Sequence, residues 1–131
     1  MNILFICKYN RFRSKVAEAY FNKNRPEHHK AKSAGIVPGI PIYKDIIYDC
    51  MKSGIEITGH PIGINHKMLM WSDVIIIISD NIPKYLFLEE IKNDKKRAIK
   101  WSIKDAKTRN QRSLIIKKIC KKIDVLIKEL K

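Results

Sequence analysis

The stretch Asn2-Ile3-Leu4-Phe5-Ile6-Cys7-Lys8-Tyr9-Asn10-Arg11-Phe12-Arg13-Ser14, continuing as Lys15-Val16-Ala17-Glu18-Ala19-Tyr20-Phe21, decides the fold. Its apolar opening fits a buried strand of a parallel sheet. Val16, Ala19 and Tyr20, with Ala17 and Phe21 beside them, repeat at helical spacing. Strand, polar loop and helix therefore follow one another. The loop opens onto a helix N-terminus, where unpaired N–H groups and a partial positive charge meet an anion.

Cys7 and Arg13 bracket this loop. A thiol at its start faces the helix dipole, the loop amides and the Arg13 charge, all of which favour the nucleophilic thiolate. Arg13 offers a planar fork for two oxygens of a phosphoryl group, while the loop N–H groups take the others. The Ser14 hydroxyl is placed to hydrogen-bond the Cys7 sulfur, stabilising it as thiolate and as leaving group. The competing reading of Cys7 is a buried core thiol near a surface arginine.

Outward from this unit, Pro26 ends the first helical pattern and Lys30 to Ala34 returns as a second strand closing at Gly35. Val37-Pro38-Gly39-Ile40-Pro41 reads as a loop, Tyr43 to Ser53 as a second helix through Ile46, Ile47, Cys50 and Met51, and Met68 to Trp71 as a short helical piece. Val74-Ile75-Ile76-Ile77-Ile78 is β-branched or apolar on both faces, the pattern of a central parallel strand covered on each side. Ser79-Asp80-Asn81 with Pro83 predicts a helix start, with the helix over Tyr85 to Ile91, and Arg97 to Ile103 a fourth strand. From about Asn110 to Leu130, Ile115, Ile119, Ile123, Leu126 and Leu130 recur against a lysine face, the signature of one long amphipathic helix. Alternating strands and helices predict a single α/β domain over 1–131, with a four-stranded parallel sheet in the order 2-1-3-4 and helices on both faces.

In such sheets ligands bind beyond the carboxyl ends of the strands. Strand one ends there at Cys7, and strand four delivers Trp101-Ser102-Ile103-Lys104-Asp105-Ala106-Lys107 to the same edge. Asp105 is thereby the candidate general acid. Cleaving a phosphate ester requires a proton for the departing oxygen, a step typically worth ~100- to 10,000-fold. Asp124 falls inside the long helix, and Asp80 and Asp94 read as capping and solvated residues.

With 131 residues and 45% hydrophobic content, one core is the expectation. The longest apolar run, Val74 to Ile78, is far short of the ~20 residues that span a bilayer. The N-terminus has no leader pattern, so a soluble cytoplasmic protein without membrane association is expected. Cys7, Cys50 and Cys120 are an odd number at wide spacing, which suits neither a disulfide framework nor a zinc site. The net charge of +14 attracts anions of any kind. No finger, aromatic stripe or GXXG loop accompanies it, so the lysines read as a solvated face and nucleic acid is not the expected partner.

Cys7, five intervening residues, Arg13 and Ser14, placed after a first strand and followed by Ala17-Glu18-Ala19, resemble the low-molecular-weight protein tyrosine phosphatases, a superfamily shared with small arsenate reductases. The resemblance covers nearly the whole chain. It implies catalysis by Cys7, Arg13 and Asp105, with substrate bound by the loop residues Lys8, Tyr9, Asn10, Arg11, Phe12 and Ser14, and with neither metal nor cofactor. Asn10 matches the family's loop-shaping Asn, and Ser33 and His60 resemble the residues that hydrogen-bond to it. The Asp105 loop departs from the family in having Ala106 where Pro is usual. Tyr9 stands where many members have Gly, Arg11 where an aliphatic residue is common, and Phe12 where a second Cys is frequent. The family's paired tyrosines have no equivalent in Lys107-Thr108-Arg109. Lys8 and Arg11 therefore point to an acidic substrate.

The resulting expectation is a phosphomonoester hydrolase, a protein tyrosine phosphatase acting on phosphorylated protein or a small phosphate ester through a phosphocysteine. Two alternatives stand beside it. Arsenate reduction would need an external small thiol, since the segment from Ser79 to Glu90 has no cysteine. A basic protein that binds phosphate or nucleic acid without turnover is the other, and the joint presence of Cys7, Arg13 and Asp105 argues against it.

Overall fold

The computed structural model describes residues 1–37 and 39–131; Pro38, part of the expected Val37 to Pro41 loop, lies outside them. The chain runs β1 (Asn2–Cys7), α1 (Arg13–Asn24), β2 (Lys30–Gly35), α2 (Lys44–Lys52), α3 (His66–Trp71), β3 (Val74–Ile78), a 3-10 turn (Lys84–Phe87), α4 (Leu88–Lys92), β4 (Arg97–Trp101) and α5 (Arg109–Leu130). The four strands form one sheet in the order β2-β1-β3-β4, and every pair is parallel. This is the single-domain α/β architecture and strand order that the sequence implies.

The period-two alternation of strand side chains divides the core into two layers. Ile3 and Phe5 of β1 and Val74, Ile76 and Ile78 of β3 join Val16, Phe21, Ile46, Ile119 and Ile123 on the face covered by α1, α2 and α5. Leu4, Ile6, Ile75 and Ile77 point the other way, onto Ala34, Met68, Ile82 and Phe87. Both central strands must therefore be apolar on both faces. Each fully buried isoleucine is worth about 1.5 to 3 kcal/mol against exposure, so β1 and β3 anchor both layers.

Two expected elements differ. The helix expected over Tyr85 to Ile91 is a 3-10 turn that passes into the five-residue α4. Only Phe87 of this segment is buried, so tertiary packing gives a longer helix too little support. Ser79 and Asn81 are occupied with each other in a local turn, the Asn81 N–H donating to Ser79 Oγ at 3.2 Å. The fourth strand ends at Trp101 instead of Ile103, because the Ile103 N–H bonds back to the Trp101 carbonyl at 2.8 Å and turns the chain out of the sheet. That turn starts the loop bearing Asp105. Among the described residues no helix is long and apolar enough to cross a membrane.

Candidate active site

The loop Lys8 to Phe12 leaves the carboxyl end of β1 and enters α1 at Arg13. Phe12, at the helix N-cap position, makes no side-chain cap hydrogen bond, which leaves first-turn N–H donors to a ligand or water. Asn10 has φ 54°, a left-handed conformation that Asn tolerates better than most residues. This reverses the loop. The fit against β2 is tight: a Cβ on Gly35 would lie 2.8 Å from Asn10 N and from the Tyr9 carbonyl carbon, so glycine alone lets the loop settle there.

The Asn10 side chain is fully buried and ties three segments together. Its amide nitrogen donates to Ser14 Oγ at 2.7 Å and to Ser33 Oγ at 2.9 Å. Its Oδ1 accepts from the Ile62 N–H at 2.8 Å. The bond expected from His60 is absent: that side chain is exposed, and the backbone two residues on takes the place on Asn10. Ser33 forwards the chain, its hydroxyl donating to Glu18 Oε1 at 2.9 Å. Burial pushes the Glu18 carboxyl up, against the pull of Ser33 and Lys15.

Cys7 Sγ lies 3.0 Å from Ser14 Oγ, and both are buried. Ser14 Oγ also accepts from Asn10, which holds the hydroxyl beside the sulfur, where either the thiol or the hydroxyl can donate. A hydroxyl in this position can donate to a thiolate. Arg13 is also buried, with its Nη1 donating to the Ile103 carbonyl at 2.9 Å and its Nη2 3.8 Å from Asp105 Oδ2. Strand four's exit loop therefore fixes the arginine and holds a carboxylate beside it. Asp105 is partly exposed, at 38%, and its Oδ1 accepts from the Ala106 N–H at 2.9 Å.

At the rim, the Arg11 guanidinium stands 5.0 Å from the Tyr9 ring centre and 5.3 Å from that of Tyr43, with Lys8 Nζ 5.1 Å from Tyr9. Arg11, Phe12, Tyr43, Asp105, Ala106 and Arg112 line a small cavity of about 90 Å³. Tyr43 is a rim residue that sequence spacing did not mark, since it read as a helix start. Ile62, Ile103 and Gly35 also escaped notice as site residues: the first two act through backbone atoms, and Gly35 through an absent side chain. The other thiols are placed differently. Burial pushes Cys50 up to about 12 and Cys120 up to about 11, so both are protonated at neutral pH. Asp124 accepts from the Tyr20 hydroxyl at 2.8 Å within the α1–α5 contact.

A cysteine brought by a parallel strand to a helix N-terminus, with a buried arginine on one side and an aspartate facing it, is the layout of a phosphatase-class α/β protein. The family assignment follows: a model described as low molecular weight phosphotyrosine protein phosphatase matches residues 2–130, and the chain belongs to that family. No curated protein sequence matches it. Among solved structures, it is similar to the YwlE arginine phosphatase from Geobacillus stearothermophilus, with a TM-score of 0.84 at 17% identity over 98% of this chain and 92% of that one. A low molecular weight protein tyrosine phosphatase from T. tengcongensis gives 0.84 at 21% identity, over 98% and 99%. A thioredoxin-dependent arsenate reductase from Corynebacterium glutamicum gives 0.74 at 24% identity, over 98% of this chain and 60% of that one. At these identities the likeness shows a shared fold.

Proposed function

We propose that this protein hydrolyses phosphate monoesters on protein through a phosphocysteine, with phosphotyrosine as the substrate its family implies. The Cys7 thiolate attacks phosphorus as the P–O bond to the leaving group breaks, and the departing oxygen takes the proton of Asp105. Water then attacks the phosphocysteine, the P–S bond breaks with sulfur leaving as thiolate, and Asp105 takes the proton from that water. Arg13 and the loop amides stabilise the charge on the transferring phosphoryl group. The observation that carries this reading is the Ser14 hydroxyl, itself held by Asn10, at 3.0 Å from Cys7 Sγ. A buried thiol with only a packing role has no use for that arrangement.

Arsenate reduction within the chain is disfavoured, because the two other thiols are buried or half-buried in the helical layer and held protonated. The test is hydrolysis of p-nitrophenyl phosphate by wild type, Cys7→Ser and Asp105→Asn in the presence of chelator, with phosphotyrosine, phosphoserine and phosphoarginine peptides alongside. Abolished turnover in Cys7→Ser and slowed turnover in Asp105→Asn are expected, with phosphotyrosine preferred. Full activity in Cys7→Ser would overturn the mechanism, and preference for phosphoarginine the substrate.

A further inference from the structure

Asp105 lines two cavities, and the second is unexplained by phosphate chemistry. On one side is the small rim cavity with Arg11. On the other, a cleft of about 450 Å³ opens between the loop after β4 and the first turns of α5. Its apolar surface comes from Ile103 and Ile115, which are buried, and from Leu114, which is 59% exposed. Lys104, Lys107 and Lys118 border it. Among the described residues none of these lysines is paired with a carboxylate, whereas Arg109 and Arg112 of the same helix are tied to Asp45 and Asp49 of α2. The arginines of α5 are consumed in holding two helices together. The lysines at the cleft are left for an anion from outside.

We infer that this cleft docks an acidic segment of the phosphorylated polypeptide, anchored by an apolar side chain on Leu114, next to the residue whose phosphate enters the loop. The inference rests on the phosphatase reading above and names its substrate class. Lysine stems cover apolar surface while their ammonium groups stay in water, so a lysine-edged apolar cleft suits a partner that carries both kinds of side chain. Arg11 extends the same preference across Asp105. Held between two tyrosine rings, it has no carboxylate partner among the described residues, so cations flank the general acid on both sides. A net charge of +14 draws such a substrate in before contact. A nucleic acid would match the charge and leave the leucine uncovered.

The experiment compares three phosphotyrosine peptides: one flanked by Asp, Glu and Leu, one with Asn and Gln in place of the acids, and one with Ser in place of Leu. The acidic Leu peptide is expected to exceed the amide peptide about tenfold in kcat/KM, the size of a few exposed ion pairs. Added salt should erode the advantage. Both Lys107→Glu/Lys118→Glu and Leu114→Asp, changes at exposed positions, should lower the ratio of peptide to p-nitrophenyl phosphate turnover. Equal kcat/KM for the three peptides, or an unchanged ratio in both variants, would overturn the docking site while leaving the phosphatase intact. Failure to hydrolyse p-nitrophenyl phosphate would instead sink the phosphatase reading. Fluorescence anisotropy with the unphosphorylated peptides decides the cleft separately: tighter binding of the acidic Leu peptide supports it. Equal binding, or stronger competition by a single-stranded oligonucleotide, overturns it.

Discussion

Cys7 and Arg13 are held by their neighbours, and substitutions separate charge from geometry in their proposed roles. Arg13 is fixed by the Ile103 carbonyl and faces Asp105, so Arg13→Lys keeps the charge and loses the fork. Steady-state kinetics on p-nitrophenyl phosphate should show kcat reduced by ~100- to 1,000-fold, the scale for removing a preorganised donor; near-normal turnover would contradict the assignment. Phe12 occupies the place where a second loop thiol would protect Cys7, and the remaining thiols are in the helical layer. Peroxide should therefore take Cys7 beyond the sulfenic acid. Mass spectrometry should show two or more added oxygens, and dithiol should not restore activity; recovery would contradict this. At this scale the sequence was readable where a side chain carries the chemistry. The bond of Asn10 to Ser33 follows the family resemblance, but the one expected with His60 is replaced by the Ile62 backbone, which side-chain identity does not reveal, and the bond to Ser14 was not foreseen.

Among elements, β1, β3 and α5 were legible because their apolar periodicity is imposed by burial on two faces or on one stripe. The segment from Pro83 to Lys92 was not, because propensity alone suggested a helix that packing supports only at Phe87. The end of β4 was equally hidden, since a backbone bond from Ile103 to Trp101 leaves no trace in residue type. The packing of β2 against the loop between β1 and α1 gives a sharp prediction. In Gly35→Ala the new methyl meets the Asn10 and Tyr9 backbone at 2.8 Å, so the loop must move. Overpacking of this kind costs about 1 to 3 kcal/mol. Denaturant unfolding should register that loss, and kcat should fall more than the folded fraction does. Unchanged kcat would mean that the loop does not depend on this approach.

For the molecule as a whole, the ion pairs joining α2 to α5 set a pH dependence. Arg109, with Arg112, holds the Asp49 carboxyl down to about 2 from its ordinary 3.8. The folded state therefore binds this proton more weakly than the unfolded chain. The stabilisation is present above about 4 and is lost as the pH falls toward 2. Glu18 has the opposite sign: burial raises its carboxyl, so its protonation favours the folded state and its contribution declines as pH rises through the raised value. Thermal melts of wild type and Asp49→Asn should differ by a few degrees at neutral pH and converge near pH 2; a constant difference would exclude the ion pairs as its source. The sheet, the helices and the loop bring Cys7 and Asp105 to one edge, the placement that the proposed phosphocysteine route requires. The most direct measurement is the mass of the Cys7 peptide after Asp105→Asn is mixed with p-nitrophenyl phosphate, whose departing oxygen needs little help from an acid, and rapidly denatured before the slowed second step empties the enzyme. A phosphoryl adduct on Cys7, absent in Cys7→Ser, is the predicted result. Release of phosphate with Cys7 unmodified at every time sampled would contradict the account.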